Sequence, residues 1–358
     1  MKKGILGLIV IAILATGGYF YWSKDKENIQ TQGKNQELKS DEIEEITEEV
    51  EEVPEKNINI FNGNERPIAY MIDNNTNAQP QASLNSTYLV YEIIVEGGET
   101  RLMALFKGVD CDEVGPIRSA RHYFLDYVME NDAIYAHLGL SPQAQSQMPI
   151  YGINNINGQS YDTGKARTTD SLYWRVSKKK APHNAYTNTA SIQKIANSKG
   201  YKTTSDKESV LNYVQNEVIL DGEDAIIAND IVIPYTTSHK VEYKFDSQTN
   251  RYIRYSKNKK MSDETTGEPV TTKNLIITFA ENYTLNDGEN KGRQDVITVG
   301  SLDGYYITNG KATKIKCNKE SREAQTVYVD LAGNEIEVND GNTWINIVPI
   351  DAEVSISE

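Results

Sequence analysis

Apolar and charged residues alternate over Tyr91, Glu92, Ile93, Ile94, Val95 and Glu96, with the two-residue period of a strand. Gly97-Gly98 follows as a two-residue turn signal, so residues 88–106 predict a β-hairpin. That turn sets a register: Glu96 opposes Glu99, Ile94 opposes Arg101 and Glu92 opposes Met103. Glu92, Glu96, Glu99 and Arg101 then share one face, although like charges set opposite one another destabilise a hairpin. Such a face is either a solvated surface neutralised by its arginine or a site.

Around the hairpin, residues 67–72 read as a buried strand ending in the turn-forming Asp73-Asn74-Asn75, and residues 133–138 as another strand. Helices are predicted over 119–131 with Ser119 as N-cap, from Ser141-Pro142 onward, and over 188–199, closed by Gly200. Beyond residue 202 the pattern turns to short strands at 241–245, 251–255, 275–279, 296–299, 305–308, 313–317, 326–329 and 344–348. Asp303-Gly304, Asn309-Gly310 and Asp340-Gly341 are tight-turn signals among them. The predicted fold is an α+β or α/β layered N-terminal domain over 59–205, followed by a mostly antiparallel β C-terminal domain over 206–358.

Ahead of both lies a different pattern. Lys2 and Lys3 precede an apolar run over 4–22 that ends in Tyr19, Phe20, Tyr21 and Trp22, which predicts a membrane signal-anchor over 1–23 with an outward body. A cleaved signal peptide is the rival reading, around Ala15-Thr16-Gly17. No cysteine follows the run, so lipid attachment there is not expected. Residues 24–58 read as an acidic disordered tether, within which Ile43, Ile46, Val50 and Val53 could line a short helix against a partner.

Composition narrows the chemistry. The 358 residues carry a formal charge of −14, which argues against nucleic acid as a partner, and residues 41–55 hold nine acids without a Lys or Arg. Cys111 and Cys317 supply neither a disulfide framework nor zinc-ligand spacing, and are expected to be separate thiols. No signature for a metal, a nucleotide or another cofactor is present, and none is expected.

Polar residues instead collect at strand ends of the first portion, where layered α/β domains gather ligands: Asp73, Arg118 and Arg121, His137, and His183-Asn184. Arg118 and Arg121, three apart on the predicted helix, would form a clamp for a carboxylate, lactyl or phosphate group, or pair with the hairpin glutamates as a buried network. His137 and His183 have the chemistry of acids, bases or ligands, against the plainer role of hydrogen-bonded structural residues.

The runs R-P-I-A-Y-M-I-D-N-N from Arg66, V-Y-E-I-I-V-E-G-G-E-T-R from Val90, G-P-I-R-S-A-R from Gly115, Y-A-H-L-G-L-S-P-Q-A from Tyr135 and K-A-P-H-N-A-Y from Lys180 resemble the YerB-like family of Gram-positive envelope proteins. The closing G-N-T-W-I-N-I-V-P from Gly341 resembles the end of that family's second domain. The resemblance implies two domains and an extracytoplasmic location in a family described as lipoproteins of unknown function, and it implies no activity.

Two functions are compatible with the residues. One is cleavage of peptidoglycan glycan strands, by a lytic transglycosylase or glycosidase route, with Glu96 as general acid in a pocket of crowded carboxylates that raises its pKa. Glu92 or Asp73 would then stabilise the sugar cation, with Arg101, Arg118, Arg121, His137, His183 and Asn184 binding substrate. The other is a non-catalytic module that binds peptidoglycan or another wall polymer, or regulates a cell-wall enzyme.

Overall fold

The computed structural model describes residues 58–358; the anchor expected over 1–23 and the tether up to residue 57 lie outside the described residues. The first portion contributes strands β1 (Ile68–Asp73), β2 (Leu89–Ile94), β3 (Thr100–Phe106), β4 (Ile134–His137) and β5 (Asn155–Asn157). Its helices are α1 (Leu125–Glu130), α2 (Pro142–Ile150) and α3 (Thr189–Ser198). The second contributes β6 (Asp230–Pro234), β7 (Lys240–Asp246), β8 (Arg251–Ser256), β9 (Asn274–Ala280), β10 (Asn282–Thr284), β11 (Gln294–Val296), β12 (Gly300–Thr308), β13 (Lys311–Lys319), β14 (Val327–Val329), β15 (Thr343–Pro349) and β16 (Ser355–Ser357). The described chain is therefore mostly strands with few helices.

One eleven-stranded sheet runs through both portions, in the order β14-β13-β12-β9-β15-β2-β3-β1-β4-β5, with Ile226–Ile227 added at β13. The seam is β15. It lies parallel to β9 on one side and parallel to β2 on the other, so the last long strand of the chain is inserted beside a strand laid down some 250 residues earlier. Every residue from Thr343 to Val348 is buried, the polar Asn346 among them, as expected of a strand covered on both faces. Truncating Trp344 to Ala there costs about 3–5 kcal/mol. A second, six-stranded sheet built on β6, β7, β8 and β16 packs its buried Tyr243 against Trp344.

The hairpin forms, in a different register from the expected one. Ile94 pairs with Thr100, Ile93 with Arg101 and Glu92 with Leu102, a shift of one residue. The connection is a five-residue loop over Val95 to Glu99 containing a 3-10 turn, Glu96–Gly98, because Gly97 and Gly98 both take positive φ, 70° and 72°. A one-residue slip moves side chains to the other face, so Arg101 stands on the face opposite Glu92.

Other local expectations change as well. The helix expected over 119–131 begins as a 3-10 turn at His122–Phe124 and is α-helical only over Leu125–Glu130. Ser119 is no cap: its hydroxyl donates to the Leu138 carbonyl, and Arg121 is extended at φ −126°, ψ 150°. The next two helices begin where expected and both are capped, Ser141 Oγ accepting from Ala144 N and Asn188 Oδ1 from Ser191 N. Asn309-Gly310 turns β12 into β13 with positive φ at both residues. Asp303-Gly304 lies inside β12, where a side chain on Gly304 would meet the Ile277 carbonyl at 2.4 Å.

Candidate functional site

β1 and β4 run parallel and end at the same edge of the sheet, and the loops that follow them meet the β2–β3 loop there. Between them is an open pocket of about 330 Å³. Asp73 enters from the end of β1, Glu96 and Glu99 from the β2–β3 loop, and Arg101 from the start of β3. Arg118, Ser119 and Arg121 come from the segment before α1, Leu140 and Ser141 from the start of α2, and His183 from the loop before α3. Lys291 and Arg293 reach in from the β10–β11 loop of the second portion, which is tied to α2 by Gln143 donating to Asp287.

Five cationic side chains and three carboxylates line this pocket; Lys291 and Arg293 pair with Glu289 and Asp287, and Glu99 with His239 and Lys257, which leaves three arginines facing Asp73 and Glu96. Their pairing is uneven. Arg121 grips Glu96 in a bidentate pair, at 2.6 Å and 2.7 Å. Arg118 Nε lies 3.2 Å from Asp73 Oδ2 without hydrogen-bond alignment. Arg101, only 6 % exposed, donates to the Ser119 carbonyl, and its Nη2 is 4.0 Å from Glu96 Oε2, outside hydrogen-bond reach. Burial, with Arg121 and Arg118 beside it, lowers the Arg101 pKa to about 9. A nearly buried guanidinium with unused donors and like-charged neighbours is poised for an anion.

Glu96 shows the opposite tendency from the one a general acid needs. Burial pushes its carboxyl up, but the hydrogen bonds and charge of Arg121, aided by Arg101, outweigh burial and hold it below the ordinary glutamate value. The expected crowding of carboxylates is absent because the arginines stand between them.

Behind the hairpin a second polar cluster is sealed. Glu92 is fully buried and takes hydrogen bonds from Arg254 at 2.6 Å, Thr100 at 2.7 Å and Asn74 at 3.0 Å. Thr100 spends its one hydrogen on Glu92, so His239 Nε2, 3.0 Å from Thr100 Oγ1, must donate to it. His239 Nδ1 lies 3.4 Å from Glu99 Oε2, an ion-pair distance without hydrogen-bond alignment, so carboxylates on both sides of the ring favour its protonated form. Burial opposes that charge, yet Glu92 and Glu99 outweigh it and raise the His239 pKa. Glu99 is thus shared, lining the pocket and closing the cluster.

The structure brings Asp73, Glu96, Arg101, Arg118, Arg121 and His183 together, and leaves Glu92, His137 and Asn184 out. Glu92 faces Arg254, on the other side of the sheet from Arg101. His137 is buried between the Gly139 carbonyl (2.8 Å) and Asn155 Oδ1 (3.3 Å), and burial lowers its pKa. Asn184 accepts from Arg175 and donates to the Val176 carbonyl. Arg118 and Arg121 converge through an extended segment rather than along a helix face. Lys291, Arg293 and Arg254 are not among the residues the sequence pointed to, and His239, the one histidine of the second portion, was not expected to share in a site. Arg254 had a signal, since it falls in phase with the inward Tyr252 and Ser256 of β8.

Two family profiles match the chain: protein of unknown function (DUF3048) N-terminal domain over residues 55–202, and the DUF3048 C-terminal domain over 231–345. "Putative lipoprotein YerB" of Bacillus subtilis (strain 168) is 31% identical over 307 residues, covering 82% of this chain and 84% of that one. A crystal structure of the YerB protein from Bacillus subtilis matches with a TM-score of 0.70 at 31% identity, covering 82% of this chain and 94% of that chain.

Proposed function

This chain belongs to the DUF3048 family, and from that premise we propose an envelope protein, held at the membrane outside the cytoplasm, whose pocket binds an oxyanion on a cell-wall polymer. The relative's name as a lipoprotein and the apolar run over 4–22 support the location. The layered α/β domain over 59–205 and the division at 205/206 belong to the same proposal, as the scaffold from which most of the pocket is built.

One observation carries the binding reading: Arg101 is buried beside two other arginines with donors left over. Carboxylate and phosphate oxygens satisfy those donors and offset the excess charge, and both occur on wall polymers: lactyl and peptide carboxylates on peptidoglycan, phosphodiesters on anionic polymers. Glycan cleavage by a carboxylate acid draws no support, because Glu96 is held ionised by Arg121. A role in engaging a cell-wall enzyme rests on no observation of its own.

Calorimetric titration of the full-length chain with inorganic phosphate and, separately, with soluble muropeptides tests the reading and separates the two sources of oxyanion. Saturable binding of at least one is expected, weakened roughly 10- to 100-fold in Arg101→Gln, as the loss of a charge-assisted hydrogen bond of about 1.5–3 kcal/mol implies. Absence of binding to both, or binding that Arg101→Gln leaves unchanged, rejects it.

A further inference from the structure

Within the same pocket a buried carboxylate orients an imidazole. Asp73 Oδ2 lies 2.7 Å from His183 Nδ1, and Asp73 itself is fixed, only 4 % exposed, by the Asn75 backbone N–H at 3.0 Å and the Arg118 guanidinium at 3.2 Å. An ionised carboxylate only accepts, so Nδ1 carries the hydrogen and Nε2 of the neutral ring carries the lone pair. Nε2 has no hydrogen-bond partner among the described residues. His183 lines the pocket together with Arg101, Arg118 and Arg121. A base whose tautomer is set by an aspartate, beside cations with unused donors, is a constellation for displacement at an anionic centre.

Resting on the anion-binding reading, we propose that His183 and Asp73 make this pocket a phosphodiester hydrolase, with His183 as general base. His183 Nε2 takes a proton from water; the water oxygen bonds to phosphorus as one ester P–O bond breaks, and its electron pair leaves with the ester oxygen. Arg101 and Arg118 hold the non-bridging oxygens, where charge gathers, and Arg121, engaged with Glu96, holds that carboxylate away from them. The imidazolium then returns its proton to the departing alkoxide or to solvent. One phosphodiester and one water become one phosphomonoester and one alcohol. A carboxylate ligand would use the arginines and leave the dyad idle, whereas a phosphodiester uses both. Asp73 is a positioning residue, since it acts through the ring.

The full-length chain, purified in detergent, is assayed with bis(4-nitrophenyl) phosphate for release of 4-nitrophenolate, with calorimetric binding of inorganic phosphate measured in parallel. Turnover above the buffer blank is expected. His183→Ala and His183→Gln should each lower kcat at least about 100-fold, as loss of a general base does, while phosphate affinity stays within about 2-fold and thermal unfolding is unchanged. Asp73→Asn should lower kcat far more than it alters KM. Phosphate binding without nitrophenolate release, or a rate that survives both His183 substitutions, overturns the hydrolase and leaves the binding reading standing. Failure to bind either phosphate or muropeptides overturns both.

Discussion

The two sides of the β2–β3 hairpin hold similar residues in opposite conditions. On the sealed side, Glu92 is matched by Arg254, His239, Thr100 and Asn74, and every charge has a counter-charge. On the open side, Arg101, Arg118 and Arg121 outnumber Glu96 and Asp73, and Arg101 is left with donors to spare. Both sides bury charge, but only the second leaves the balance unfinished, which is the mark of a site rather than a structural network. The largest expected effect tests this contrast. Glu92→Ala strands the buried Arg254 and should cost about 3–5 kcal/mol in urea unfolding. Glu96→Gln, at a half-buried position with solvent nearby, should cost about 1 kcal/mol. Equal losses would erase the distinction between a closed network and an open pocket.

Arg101 sharpens it next. Its charge is disfavoured in the fold by burial and by two like charges, so Arg101→Met should leave unfolding stability unchanged or raise it. The same substitution should weaken oxyanion binding at least about tenfold. A residue whose removal costs stability as well as affinity would belong with Glu92, and the excess-charge account would fail.

His239 joins the two sides through Glu99 and gives them a pH dependence. Its pKa is raised in the folded state, so its contribution to stability is fully present below the unfolded value near 6.5 and is lost as pH rises through the folded value. Urea midpoints of the wild type should therefore fall as pH climbs above about 6.5, and His239→Gln should lack that slope. A parallel decline in the variant would assign the effect to other groups.

How much of this was legible depended on range. The strand identity of Ile68–Asp73 could be read from its apolar run and that of the hairpin from alternation, and the helix starts at Ser141 and Asn188 from local chemistry. The hairpin register was not, because Gly97-Gly98 imitates a two-residue turn while the loop runs from Val95 to Glu99. That single residue moved Arg101 away from Glu92 and changed a supposed cluster of acids into two separate neighbourhoods. Partners 162 residues apart, such as Glu92 and Arg254, leave no local trace beyond a charge at an inward strand position. Residues 341–349 were noticed as a closing motif, but not that Thr343–Pro349 would join both portions in one sheet.

The smallest expected effect concerns the rim of the pocket. Lys291 lines it from the β10–β11 loop while its ammonium pairs with Glu289 at 2.8 Å, and the side chain is 64% exposed. A solvated lysine contributes long-range attraction more than contact, so it should act on the approach of the ligand and be screened by salt. Lys291→Ala should therefore weaken phosphate binding by only about 2-fold at low ionic strength, with the difference vanishing near 0.5 M salt. Arg101→Gln, by contrast, should keep most of its loss at that ionic strength, because a nearly buried donor is poorly screened. Isotherms for both variants at two salt concentrations separate rim from centre. If the Lys291 effect matched that of Arg101 and persisted in salt, the anion would sit under the loop of the second portion rather than at the arginines of the first.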